Sequence, residues 1–445
     1  MSWSETEFNT IDLGDKRNNA RAIKIIEAIA KAPQSSIPQS CQGWTETIGT
    51  YRFYSNESFT HHDVIQPHYD STEERIRASD SPVILCIQDT TELDFNGQQT
   101  KGLGRLSYDA QRGMYVHTTL CVTPERLPLG ITDTWMWARG ESKTEDQKTP
   151  QIKESLRWTE GYERVAEMAE RCPDQQLVYV ADREGDLYEL MERAYQLDTP
   201  ADWLIRAKHN RSLPEEKKLW DEVEKEPVLS KITFIKPRKK GEKSRKIIQE
   251  VKVLRYTLHP KGKTAIEMTL VQAKEINPPK GTQPIVWRLL TNRTVDNVAQ
   301  ALEILDWYRC RWEIEMFFDV LKVGCKVEKL QLDTKERIEK ALMMYMIVAW
   351  RVMYLMRLGR TCPDLPANLV FDPLEWQSSY LLNKQSLPDG LPTINNVIRN
   401  LAILGGFLGR KSDGEPGAKS IWKGLQRIQD CIYGIQLAKE IQELI

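Results

Sequence analysis

The spacing of apolar and polar positions changes along this chain, and the changes divide it. Over Ala20–Ala30 the apolar residues Ala22, Ile23, Ile25, Ile26 and Ile29 recur at helical spacing with basic residues on the polar side, and residues 1 to about 70 read mainly as helices. Val83–Ile87 and Leu177–Val180 are instead short, continuous apolar runs, partly β-branched, the pattern of a strand buried on both faces. From about 71 to 210 such strands alternate with helices: Val116–Val122, the Trp135–Trp137 region, a charged helix near Glu154–Cys172, then Trp203–Arg206. Several strands before the first long helix predict a mixed sheet whose early strands form a meander. From about 211 to 290, segments such as Ile232–Ile235, Ile248–Tyr256 and Ile266–Val271 alternate in the β fashion and predict a β-rich insertion. Long helices follow to about 360, then a Pro-containing link near Cys362–Pro373 and a last helical part. The expectation is an α/β chain divided at 1–70, 71–372 and 373–445, with the insertion inside the middle part.

Two carboxylates stand where these patterns break. One apolar run stops at Gln88-Asp89-Thr90-Thr91, the other at Ala181-Asp182-Arg183-Glu184. Ligands of open α/β sheets sit at the carboxyl ends of strands. Each Asp could equally begin a turn or cap a helix. A third carboxylate lies on a predicted helix with Tyr308, Arg311, Glu315 and Lys322. At about 100° per residue all four fall within roughly 60° of one another. Arg, Glu and Lys are rarely buried without partners, so this stripe makes a poor core face and a good surface for a metal ion and phosphates.

Composition narrows the class. At 445 residues, 40% hydrophobic and 28% charged, the chain is ordinarily globular, with a formal net charge of -1. A nucleic-acid protein of that balance must segregate its charge, and Lys236–Lys246, with Arg238, Lys239 and Lys240, is strongly basic. Lying between apolar segments it reads as a hairpin tip, either a solvated loop or a DNA contact. The eight cysteines include no C-x-x-C pair, which argues against a zinc site or a disulfide framework. The first twenty residues carry no signal-peptide pattern, and the longest apolar stretch, Ala341–Trp350, is flanked by Lys340 and Arg351 and is too short to span a bilayer. A cytoplasmic protein without a membrane partner is expected.

Two divalent cations about 3.5–4 Å apart can activate a water or hydroxyl and stabilise the leaving oxygen of an in-line phosphoryl displacement. A few carboxylates suffice to hold Mg²⁺ or Mn²⁺. With the motifs Gln88-Asp89-Thr90-Thr91, Asp182-Arg183-Glu184 and Tyr308/Arg311/Glu315/Lys322 in this order, the chain resembles the bacterial cut-and-paste DDE transposases of the IS-four family, the Tn-five-like group, over essentially its whole length.

The resemblance implies a ribonuclease-H-like core interrupted by the β-rich insertion. It implies that Asp89, Asp182 and Glu315 are catalytic and hold two Mg²⁺, with Mn²⁺ as a substitute. Tyr308, Arg311 and Lys322 would hold DNA, and Trp287 would help hold a flipped base, unless it is simply core. Arg206, Lys208, His209 and Arg211 resemble a phosphate-binding segment beside the active site, though His209 could instead partner a carboxylate. Arg17 and Arg21 resemble end-recognition contacts, or else a solvated basic face. The Gly405–Gly417 segment with Trp422–Leu425 resembles the family's carboxy-terminal signature, in a region implied to dimerise. One departure stands out: Asp319 takes a position where a relative has Lys, and an acid there repels phosphate. The implied partners are double-stranded DNA, as terminal inverted repeats and target, and a second copy of the chain. The implied reaction nicks each end, forms and reopens a hairpin, and transfers the 3′-hydroxyls to target. A structure-selective nuclease and a non-catalytic DNA-binding relic remain as alternatives.

Overall fold

The computed structural model describes residues 2–41, 43–108, 110–140, 153–236, 244–259, 261–410 and 413–444. Arg238, Lys239 and Lys240 fall outside the described residues. In chain order the helices are α1 (Trp3–Glu7), α2 (Lys16–Lys31), α3 (Ile37–Ser40), α4 (Trp44–Ser55), α5 (His61–Arg77), α6 (Leu156–Arg171), α7 (Tyr188–Gln196), α8 (Leu219–Lys225), α9 (Val298–Arg309), α10 (Trp312–Asp319), α11 (Lys335–Thr361), α12 (Pro373–Leu382), α13 (Ile394–Leu404) and α14 (Ala418–Leu444). The strands are β1 (Val83–Asp94), β2 (Gly104–Arg105), β3 (Arg112–Val122), β4 (Pro128–Trp137), β5 (Gln176–Ala181), β6 (Asp202–Arg206), β7 (Ser230–Lys236), β8 (Arg245–Leu258), β9 (Ile266–Glu275) and β10 (Val286–Thr291).

Strands β1, β3 and β4 pair antiparallel in succession, the expected meander, and β5 and β6 then add parallel to β1. Parallel strands are covered on both faces. Accordingly Leu85, Ile87, Val178 and Val180 face one core, with α9, α10 and α11, while Ile84, Cys86, Leu177 and Tyr179 face the other, with α6 and α7. This is the mixed α/β, ribonuclease-H-like arrangement, with helices before and after it. The β-rich insertion is not a separate body: β7, β8, β9 and β10 continue the same sheet by pairing β10 to β6. Strands β7 and β8 pair as far as Lys236↔Arg245, so the basic run connects two hairpin-paired strands.

Three expectations need correction. Strand β1 does not stop at Asp89 but runs on to Asp94, because β3 pairs it through Asp94↔Gly113. What stops is its parallel ladder with β5, whose last pair is Gln88↔Ala181. The stretch from Tyr308 to Lys322 is not one helix. Cys310, Arg311, Glu313 and Ile314 each donate their N–H to the carbonyl three residues back, a tight joint between α9 and α10, and Val320–Gly324 widens to a π-turn. Finally, the Ala341–Trp350 run belongs to the 27-residue helix α11, which is long and apolar enough to cross a membrane, but 94% of its apolar window is buried inside the protein. Thr334 caps its start, accepting the Arg337 N–H at 3.4 Å.

Candidate active site

Asp89 and Asp182 each follow the last pair of the β1–β5 ladder, so they occupy the next register position, on the face that carries α10. Each is fixed locally. The Thr90 N–H donates to Asp89 Oδ1 at 2.8 Å, and the Glu184 N–H donates to Asp182 Oδ1 at 2.7 Å. Asp182 therefore does cap a short 3₁₀ turn, Arg183–Gly185, while also standing beside Asp89.

Glu315 arrives from α10. Asn297 caps α9 and sends Tyr308 down to its last turn, and the joint that follows advances about 120° per residue, so Tyr308 and Arg311 eclipse. Arg311 and Glu315 are then one helical turn apart. The joint is held from behind by Glu313, whose buried carboxylate accepts two bonds from Arg357 of α11. Arg311, its side chain only 11% exposed, bridges two of the three carboxylates: Nη1 donates to Asp89 Oδ2 at 2.9 Å and Nη2 to Glu315 Oε1. Burial pushes the Asp89 carboxyl up to about 6; Arg311 opposes this, and Asp182 and Glu315 add to it.

Tyr308 is buried beneath this cluster, with the phenol pushed upward by burial against the nearby Arg311 and Arg206. Its hydroxyl has no hydrogen bond of good geometry. Trp287 on β10 meets Tyr308 edge to face at 5.9 Å between ring centroids, and the Arg309 guanidinium lies 5.8 Å from the Trp287 centroid. Trp287 is thus half-buried core packing and a wall of the site at once.

Arg206 ends β6 beside Tyr308. Lys208 and His209 are exposed. Arg211 differs from the expectation: it pairs with the fully buried Asp186 side chain, whose Oδ2 also accepts the Lys208 and His209 N–H groups at 2.6 and 3.0 Å. It clamps the segment. Lys322 leaves the stripe because the π-turn underwinds the helix; its charged neighbours are Glu92 and Glu328, and burial lowers its ammonium's pKa. Asp319 is exposed at the end of α10. In the helical amino-terminal part, Arg17 is 90% exposed and paired with Asp15 at 2.8 Å, while Arg21 lies flat across Gly49 of α4, where a Cβ would stand 2.8 Å from its guanidinium.

A second polar layer lies on the opposite face of β1 and was missed by sequence reasoning. Gln88, Thr90, His117 and Arg157 form it, and Arg157 also reaches Glu184 of the second aspartate motif. The available signal was polar residues embedded in apolar strands, since buried polar groups need partners.

Among the described residues no three carboxylate, imidazole or thiol groups already enclose a metal position. The donor chemistry nevertheless fits a hard divalent cation: all three donors are carboxylates, and Asp182 and Glu315 lie near enough to Asp89 for their charges to add to the upward push that burial gives its carboxyl.

Three family matches cover most of the chain: transposase DNA-binding at residues 1–59, transposase DDE domain at 160–351, and transposase Tn5 dimerisation domain at 347–444. Asp182 and Glu315 fall inside the second, whereas Asp89 and Arg157 lie between matched segments. Among solved structures, the cryo-EM piggyBac transposase synaptic complex with hairpin DNA is similar at a TM-score of 0.40 and 9% identity, over 92% of this chain and 78% of that one. The DDE family generally uses divalent metal ions. The three matches in this order establish a DNA-binding, dimer-forming enzyme: the chain belongs to the DDE transposases of the Tn5/IS4-like type.

Proposed function

We propose that the chain cuts double-stranded DNA at the terminal inverted repeats of its element, through a hairpin intermediate, and joins the freed 3′-ends to target DNA. It would act in the cytoplasm, on the nucleoid, as a homodimer on paired ends, with 1–70 recognising the end, 71–372 performing the chemistry and 373–445 pairing the subunits. The observation that carries this reading is that Arg311 bridges Asp89 and Glu315 while Asp182 stands beside Asp89 at the end of the parallel ladder.

Asp89, Asp182 and Glu315 would hold two Mg²⁺, or Mn²⁺ in substitution. When bound, these ions supply activation of the attacking oxygen and stabilisation of the leaving one. Arg311 exchanges its two carboxylates for a DNA phosphate, to which its planar fork donates two parallel bonds. That exchange frees Asp89 and Glu315 as ligands. The Tyr308 hydroxyl and Arg206 take the neighbouring phosphate oxygens, giving the buried phenol the acceptor it lacks. Trp287 offers a ring to an unstacked base once Arg309 moves off it. Exposed Lys208 and His209 extend the contact, Lys322 holds the strand further along, and Arg17 and Arg21, with Arg238, Lys239 and Lys240, hold the end outside the cut.

The test is cleavage and joining on the element's own ends in Mg²⁺, wild type beside Glu315→Gln. Nicked, hairpinned and joined products from the wild type, with end binding but no cutting by the variant, are expected. Cut ends without joined product would make the chain a nuclease; binding without cutting, in Mn²⁺ as well, would make it a DNA-binding relic.

A further inference from the structure

The reaction as read above gives no task to Gln88, Thr90 or Glu184, although each stands beside an essential aspartate. All three belong to one polar layer, buried at Gln88 and open to solvent at Glu184, organised by Arg157 at the start of α6. Its side chain is 7% exposed and lies between the rings of Trp137 and Trp158, 4.9 and 5.5 Å from their centroids. Nε–H donates to Thr90 Oγ1 at 3.3 Å, Nη2 meets Glu184 Oε2 at 3.0 Å, and Nη1 donates to the Glu154 carbonyl.

Arginine can only donate, and Gln88 Oε1 can only accept, so with a neutral His117 the bonds between them run in one direction. Thr90 Oγ1 accepts from Arg157 and donates its O–H to His117 Nδ1, 2.9 Å away. The His117 Nε2–H then donates to Gln88 Oε1 at 3.2 Å, and Gln88 Nε2 donates to Thr119 Oγ1 at 2.7 Å. The chain of bonds requires a neutral His117, and burial together with the Arg157 charge pushes that imidazole well below its ordinary value. Gln88 is packed so closely against Gly161 of α6 that a Cβ there would stand 2.2 Å from its amide.

The place of this layer in the sheet gives it a purpose. The β1–β5 ladder ends at Gln88↔Ala181, one residue short of each aspartate, so ladder hydrogen bonds do not set the distance from Asp89 to Asp182. Arg157 ties the two strands together just past that point. The residues whose side chains it holds, Thr90 and Glu184, are the same two whose backbone N–H groups orient Asp89 and Asp182. A buried guanidinium is costly without full pairing, and here its pairing is spent across the metal-holding end of the sheet.

We infer that Arg157 is a positioning residue: with Thr90 and Glu184 it fixes the separation and orientation of Asp89 and Asp182 for their metal ions. The inference rests on the metal-site reading of the preceding subsection. Partners one shell out from a metal ligand typically change metal affinity by about 10- to 100-fold when removed.

The experiment measures Mn²⁺ uptake by electron paramagnetic resonance, with the full chain bound to pre-cleaved end DNA so that no cutting intervenes. Arg157→Lys keeps the charge but cannot bridge Thr90 and Glu184. Glu184→Ala removes the other end of the bridge at a side chain 59% exposed, where the fold does not depend on it. Each is expected to weaken Mn²⁺ binding at least about tenfold with end binding unchanged, and the double variant to be no weaker than the worse single one. Wild-type Mn²⁺ affinity in Glu184→Ala, or in folded Arg157→Lys, overturns the inference. A wild-type complex that takes up no Mn²⁺ at all overturns the metal-site reading itself, and this inference with it.

Discussion

Two arginines in this molecule are set among carboxylates, with opposite results. Where α1, α5, β4 and α11 meet, Arg75 donates to both oxygens of Glu7 at 2.9 and 3.0 Å, to the Leu129 carbonyl at 2.5 Å, and lies 4.3 Å from the Trp350 ring centroid. The Ile131 N–H points at His68 Nε2, which must therefore be bare, so the neutral His68 gives its Nδ1–H to Glu7. Burial works against the Glu7 charge, yet these donors overcome it and hold the carboxyl down to about 2. In the active site Arg311 makes one bond to Asp89, and that carboxyl is nonetheless pushed up to about 6. Arg311 divides its guanidinium between Asp89 and Glu315, with Asp182 close by, whereas Arg75 gives both of its Nη groups to the one carboxylate of Glu7. The junction's carboxylate is held ionised among its donors, whereas burial and neighbouring carboxylates work against the charge of Asp89, the arrangement that the proposed metal binding would relieve.

The largest effect that would break this contrast is in catalysis. Glu315→Gln removes one of the three proposed ligands, and metal stabilisation of a phosphoryl transition state is worth several kcal/mol, about a thousandfold or more in rate. Cleavage of end DNA should fall by that amount, while urea unfolding stays close to wild type. Glu7→Ala should do the reverse. Leaving Arg75 without its carboxylate inside the junction costs about 3 kcal/mol of stability, read as a lower urea midpoint, with cleavage per folded molecule near wild type. A Glu315→Gln protein that unfolds readily, or a Glu7→Ala protein that is stable and inactive, would erase the division.

Acid and base separate the clusters by sign. The folded-state value of Glu7 is depressed to about 2, so the stability it contributes is present above the ordinary carboxyl range and is lost as pH falls toward 2. Asp89 is raised to about 6, so folding favours its neutral form and its ionisation weakens the fold as pH rises through 6. Asp89→Asn should therefore be more stable than wild type by roughly 3 kcal/mol above pH 6 in chelator, the gain vanishing below about pH 4. Thermal unfolding of both proteins across pH 3–8 gives the crossing; a constant difference would mean that Arg311 compensates Asp89 fully.

The neighbouring places of Asp89 and Asp182 were legible because strands buried on both faces lose their polar positions, so an Asp directly after such a run is conspicuous, whereas Glu315 stood out only within its polar helix stripe. The extension of β1 to Asp94 was not, since Thr90–Asp94 has no apolar run and owes its strand to pairing with β3. The joint at Cys310 and Arg311 was hidden for another reason. Both residues keep helical dihedrals, with neither Gly nor Pro to mark the change, and the pair holding the joint, Glu313 and Arg357, is 44 residues apart in sequence. Arg211 and Arg17 look alike as basic residues in a sequence; only the buried Asp186 makes one of them a clamp. Arg157 was read as part of a charged helix because its partners come from two other elements.

The smallest effect tests the same contrast at a single atom. The Tyr308 hydroxyl is buried with no well-formed hydrogen bond in the free protein, whereas the polar atoms of Glu7 and His68 are paired. An unsatisfied buried hydroxyl costs stability, so Tyr308→Phe should leave the free protein as stable as wild type or slightly more so. With a phosphate as its acceptor the same hydroxyl becomes worth about 1 kcal/mol, and the variant should bind cleaved ends some fivefold more weakly. Fluorescence anisotropy on end DNA and a urea melt of the free protein measure the two halves. A variant that loses stability but not affinity would place Tyr308 with the residues that hold the fold, leaving Arg311 and Arg206 as the groups that meet DNA at this site.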